Sequence, residues 1–248
     1  MSRITKIGLI LIGAGILLLG LSYLLVGGDW TGFNSKGTEY VAKSYESSSQ
    51  INDIVIDESA NEVEIKTADT DKVTIEYFDD PERPMYELTE KNGRLEYKRS
   101  GRGSFKLINI DFSAIDRKSV VIVPEDYDGI LDIDLSSGSI TVDGVSAGKL
   151  IVGNTSGSIE INDVSVSGDV DLGNTSGSIE FTNLKSDGDM EIGNTAGSIE
   201  GTIAGKMSDY SISTSVTAGS CNLSDTSGGS KKLTAAVTAG SIEITFTE

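Results

Sequence analysis

Gly153-Asn154-Thr155-Ser156-Gly157-Ser158-Ile159-Glu160 returns twenty residues later as Gly173 to Glu180, and again as Gly193 to Glu200 with Ala196 replacing a serine. Around this core Gly-Ser-Ile recurs at 138–140, 157–159, 177–179, 197–199 and 240–242, and Gly219-Ser220-Cys221 completes the series. The steps are 19, 20, 20, 22 and 21 residues, a period that marks a repeat architecture. Within each unit Ile159 and Ile161, with Val164 beyond, alternate with Glu160 and Asn162, while Val170 and Leu172 alternate with Asp169 and Asp171. Period-two alternation means a strand with one buried face. A twenty-residue unit of two such strands cannot enclose that face, but stacked copies can, with ~4.8 Å between successive strands.

The expected fold is therefore all-β: a parallel β-solenoid of ~20-residue coils over residues 136–248. Stacking in chain order gives an inward column of Ile140, Ile159, Ile179, Ile199, Cys221 and Ile242, and beside it Val142, Ile161, Phe181, Gly201, Leu223 and Ile244. Asn154, Asn174 and Asn194 should form a ladder of side-chain amides. Either hand of winding fits, right-handed being the default for parallel crossovers. An antiparallel sandwich or barrel also gives short, evenly spaced strands, but does not require near-identical sequence every twenty residues.

Upstream, residues 51–135 alternate without the strict repeat and read as irregular early coils or a cap. Asn61-Glu62-Val63 is similar to a decayed Gly-Ser-Ile, asparagine being the next best residue at positive φ. Glu87 to Tyr97 reads as a hairpin around Asn92-Gly93. Residues 29–50 read as a polar spacer. Ile7 to Val26 carries no charge and is long enough to span a bilayer as a helix. Arg3 and Lys6 precede it, so residues 1–28 read as a cytoplasmic tip and anchor, with the remainder outside the cell membrane. The run is longer than a signal-peptide core and no Ala-x-Ala site follows, which favours an uncleaved anchor over a signal peptide.

Composition narrows the function. The net charge is −18, and the two basic residues of the tip leave the outer part more acidic still. Such a surface does not attract nucleic acid or anionic headgroups. There is no histidine, the commonest general base and metal ligand, and a single cysteine allows no intrachain disulfide. Asp169 with Asp171, or Asp187 with Asp189, could serve as paired carboxylates in glycan hydrolysis, but they recur from repeat to repeat as a solvated face does. Residues 136–248 contain no arginine with which to grip a glycan. The glycine-rich calcium-roll motif is absent, and no cofactor motif is present. Glu160, Glu180 and Glu200 should align into an outward stripe, with Glu243 further along, that can attract divalent cations without forming a specific site. Cys221, in an isoleucine column, should be a buried thiol.

Val121-Ile122-Val123-Pro124, Leu131-Asp132-Ile133-Asp134-Leu135-Ser136-Ser137-Gly138-Ser139-Ile140-Thr141-Val142 and the later Ser-Gly-Ser-Ile copies resemble the DUF4097-type β-strand repeat family of bacterial envelope proteins, described as adhesins and including LiaG-like members. The resemblance covers roughly residues 50–248 and supplies no catalytic motif. It implies a membrane-anchored, adhesin-like interaction module, with an envelope protein or a glycan as partner. An accessory or sensor protein of an envelope stress-response system is the alternative, and a solenoid enzyme on cell-wall glycan a more distant one.

Overall fold

The structure, a computed structural model, describes residues 40–100 and 118–247. The apolar segment Ile7–Val26 lies outside the described residues. Within them no helix is long and apolar enough to cross a membrane.

Among the described residues nineteen strands form one continuous sheet. The irregular portion supplies β1 (Val41–Glu46), β2 (Asp53–Glu58), β3 (Glu62–Ala68), β4 (Thr74–Asp79), β5 (Tyr86–Lys91), β6 (Arg94–Arg99) and β7 (Lys118–Pro124). The regular coils follow as β8 (Ile130–Leu135), β9 (Ile140–Asp143), β10 (Ser146–Ala147), β11 (Lys149–Ser156), β12 (Ile159–Asn162), β13 (Ser165–Val166), β14 (Val170–Ser176), β15 (Ile179–Ser186), β16 (Met190–Ala196) and β17 (Ile199–Ala204). A 3-10 turn at Met207–Asp209 leads to β18 (Tyr210–Cys221) and β19 (Lys231–Thr247).

The coils stack in parallel, as the repeat requires. On one wall Leu131, Leu150, Val170 and Met190 are successive partners; on the next, Ile140, Ile159, Ile179 and Ile199. All eight are buried, and burying each such side chain contributes ~1.5–3 kcal/mol. A third, short wall of β10, β13 and the end of β15 was not anticipated. The chain enters it through a corner at Gly144, Asp163 and Asn183, all at positive φ. That corner flips the side-chain parity, so Val164 belongs to the third wall and not to the run of Ile159 and Ile161.

Stacking order departs from chain order at both ends. At the C-terminal end β19 pairs with β16 and β17, and β18 pairs with β19. The expected column order is thereby corrected to Ile199, Ile242, Cys221. Cys221 lies on the outermost strand, is only half-buried, and is not the enclosed thiol expected. Leu223 falls beyond β18 and is likewise half-buried. Gly201 keeps its place opposite Phe181, whose ring occupies the space a side chain at 201 would need.

At the other end β2 and β3 pair with β8 and β9 on one side and with β6 and β7 on the other. Within residues 51–135, β2 and β3 thus form a true coil, and the described antiparallel strands belong to a cap. Val63 faces Ile140, so Asn61 does occupy the glycine position, yet it adopts no positive φ. The Asn92-Gly93 hairpin is present, with both residues at positive φ and Lys91 facing Arg94. Beyond β7 lie β4 and then β1, both antiparallel, and β5 runs antiparallel outside β6. Residues 41–46, within the stretch read as spacer, are therefore strand. Hydroxyls of Ser49 and Tyr45, with the Ser48 N–H, hold the Glu90 carboxyl down at about 2.

Candidate interaction surface

The asparagine ladder exists, but its amides do not bond to one another. Asn154, Asn174 and Asn194 are in register and buried. Each Nδ2 donates to the glycine carbonyl of the preceding coil: Asn154 to Gly138 (2.9 Å), Asn174 to Gly157 (2.8 Å) and Asn194 to Gly177 (2.7 Å). Oδ1 of Asn154 and Asn174 accepts the N–H two residues on, at 3.2 Å in both cases. Each asparagine therefore ties its own turn to the turn before it. Glu58, in the same column two coils earlier, does part of this work by accepting the N–H groups of Ser59 and Ala60.

Because the asparagines point in, their neighbours point out. Thr155, Thr175 and Thr195 are exposed along the stack, and the strand registers carry this row on through Thr238 and Thr217. Beside it run Gly153, Gly173 and Gly193, facing one another across the strands. At Gly173 and Gly193 a side chain would meet nothing within 4 Å. The result is an open groove of about 530 Å³, floored by glycine and walled by hydroxyls, with Asp134 as its one carboxylate. Partial desolvation and the neighbouring Asp57 and Asp132 carboxylates push the Asp134 carboxyl upward. The sequence reading of Gly-Asn-Thr stops at the asparagine ladder; the overlooked signal was that the triplet also fixes which residues face out.

The acidic stripe is assembled as expected. Glu160, Glu180, Glu200 and Glu243 occupy four adjacent strands in register and are exposed, Glu243 directly after Glu200. Glu160 accepts a hydrogen bond from Asn162 (2.9 Å). Among the described residues no group of acidic or sulfur side chains is arranged to hold a metal ion. One carboxylate of each pair considered for acid–base chemistry bonds to backbone: Asp169 accepts the Asp189 N–H (3.0 Å) and Asp189 accepts the Lys232 N–H (2.8 Å).

A stack of parallel coils with Gly-Ser-Ile turns, capped at its N-terminal end by antiparallel strands, has a counterpart among known families. Residues 51–248 match the Toastrack DUF4097 family. The chain belongs to it. Among solved structures, the Toastrack region is similar to a "putative cell adhesion protein" from Clostridium sporogenes ATCC 15579, at 13% identity and a TM-score of 0.45, covering 84% of this chain and 100% of that one. A "putative adhesin" from Parabacteroides distasonis ATCC 8503 matches at 12% identity and a TM-score of 0.40, covering 84% and 97%. A "putative lipid binding protein" from the same organism matches at 13% identity and a TM-score of 0.33, covering 84% and 97%. No curated protein matches the chain.

Proposed function

We propose that this Toastrack protein is a non-catalytic, adhesin-like module of the bacterial cell envelope, tethered through Ile7–Val26, whose grooved wall binds a neutral glycan strand. The observation that carries this reading is the hydroxyl row above the glycine floor, repeated once per coil. A surface with a fixed repeat of ~4.8 Å favours a partner that itself repeats, because each added coil adds one more equivalent contact. Hydroxyls and backbone without a cluster of charge suit an uncharged polyhydroxylated chain better than a charged polymer. In each candidate carboxylate pair one member, Asp169 or Asp189, accepts a backbone N–H of the next coil, which supports the non-catalytic reading.

The test is co-sedimentation of the full chain, in detergent, with isolated cell-wall glycan. The wild type is expected to sediment, and a variant with Thr155, Thr175 and Thr195 all changed to Asp to remain in solution. Equal sedimentation of both would overturn the reading. The tether is checked separately by a reporter, active only outside the cytoplasm, fused after Glu248: activity is expected, and silence of that fusion alongside activity of a cytoplasmic reporter would remove the anchor from the proposal.

A further inference from the structure

In every regular coil the Gly-Ser-Ile turn directs two N–H groups at the coil that stacks next. Gly138 and Ile140 donate to Ser156 and Ser158, Gly157 and Ile159 to Ser176 and Ser178, and Gly177 and Ile179 to Ala196 and Ser198. Gly197 donates to Ala239 in β19. On β18, the last strand of the stack, the equivalent residues are Gly219 and Cys221, and among the described residues no strand lies beyond them. The first half of that edge is covered: Thr226 exchanges backbone bonds with Ile212, and the Asp225 carboxylate accepts the Thr214 N–H (2.7 Å). From Ser215 to Ser220 the edge is open, and apart from half-buried Val216 its side chains are small and exposed.

Free edges of this kind are usually blunted by charge, proline or an antiparallel cover. The opposite end of the stack has such a cover in β1, β4 and β5. From Ser215 onward β18 has none among the described residues, and its twelve residues include no charged side chain and no proline. The acidic stripe stops one strand short, at Glu243 on β19. In a chain of net charge −18, this edge is where a second copy can approach with least repulsion.

We infer that the Ser215–Ser220 edge pairs with the same edge of a second copy of this chain. A two-fold axis normal to the wall makes the two β18 strands antiparallel, keeps inward faces inward, and supplies acceptors for the outward N–H groups of Gly219 and Cys221. Because the contact is isologous and uses the same β18 edge on both copies, it closes as a dimer and does not propagate into a filament. The inference is independent of what the grooved wall binds.

Sedimentation equilibrium of the full chain in detergent tests it. The wild type should show a concentration-dependent dimer. Thr217 lies near the middle of the open edge with its side chain exposed, so Thr217→Lys and Thr217→Glu, each alone, should leave the circular dichroism spectrum unchanged and weaken association about tenfold or more. Mixing the two variants should restore it, as opposite charges then meet across the two-fold axis. A wild type that stays monomeric at all concentrations overturns the inference. So does a dimer that Thr217→Lys leaves intact, or a mixture as weak as either variant alone.

Discussion

Asn174 donates to the Gly157 oxygen one coil back, and at 3.2 Å it shares the Ser178 oxygen of its own turn with the Ile159 N–H. Replacing it with alanine strands the Gly157 acceptor in a buried turn. Asn174→Ala should therefore lose ~1–3 kcal/mol of stability in urea unfolding, whereas the adjacent, outward Thr175→Ala should stay within ~0.5 kcal/mol of wild type. Asp134 gives a prediction of opposite sign. Its carboxyl is raised, so the folded state takes up a proton more readily than the unfolded one, and ionisation of Asp134 weakens the fold. Asp134→Asn should raise the melting temperature at neutral pH. That gain should shrink as pH falls through the raised value and vanish below the ordinary Asp value, which melting curves across pH would show.

At the scale of a strand, the sequence declares which residues share a column but not which strands share a border. Alternation in Ile159–Asn162 and Val170–Leu172 located the two long walls. The short third wall escaped because two-residue strands carry no period, and because a positive φ at Asp163 resets the parity there. The glutamate stripe was legible because Glu160, Glu180 and Glu200 hold fixed places in the repeat. Like charges facing each other across strands are unfavourable by ~0.2–1 kcal/mol per pair, and salt screens them. Glu180→Gln, which relieves two such contacts, should raise the melting temperature at low ionic strength and lose the advantage in 1 M salt. A variant less stable at every salt concentration would mean that Glu180 has a partner. The hydroxyl row escaped for a different reason. Its residues look ordinary one at a time and acquire meaning only when stacking brings them within a few ångströms.

For the molecule as a whole, equal spacing of the Gly-Ser-Ile copies suggested coils laid down in chain order. The exchange at the C-terminal end was invisible because Val216-Thr217-Ala218-Gly219-Ser220 and Val237-Thr238-Ala239-Gly240-Ser241 are the same pentapeptide, and either could fit against β16 and β17. The exchange makes β19 the strand on which the C-terminal end depends. Ending the chain at Ser230 should leave Met190, Ile192 and Ile199 at an uncovered edge and strip β18 of its strand partner β19. Hydrogen exchange should then show β18 unprotected and β16 weakened, with β11 and β14 little changed. Uniform loss of protection would show the stack to be a single cooperative unit.

The same arrangement bears on how the protein meets mechanical load. A strand at the end of a stack peels off one hydrogen bond at a time. β19 is flanked on both sides, by β16 and β17 on one and β18 on the other. A pull applied at residue 247 along the strand must slide it past two ladders at once, so the bonds share the force instead of failing in turn. An atomic-force pull from that point should accordingly meet its first high peak at β19, before any of the interior coils gives way.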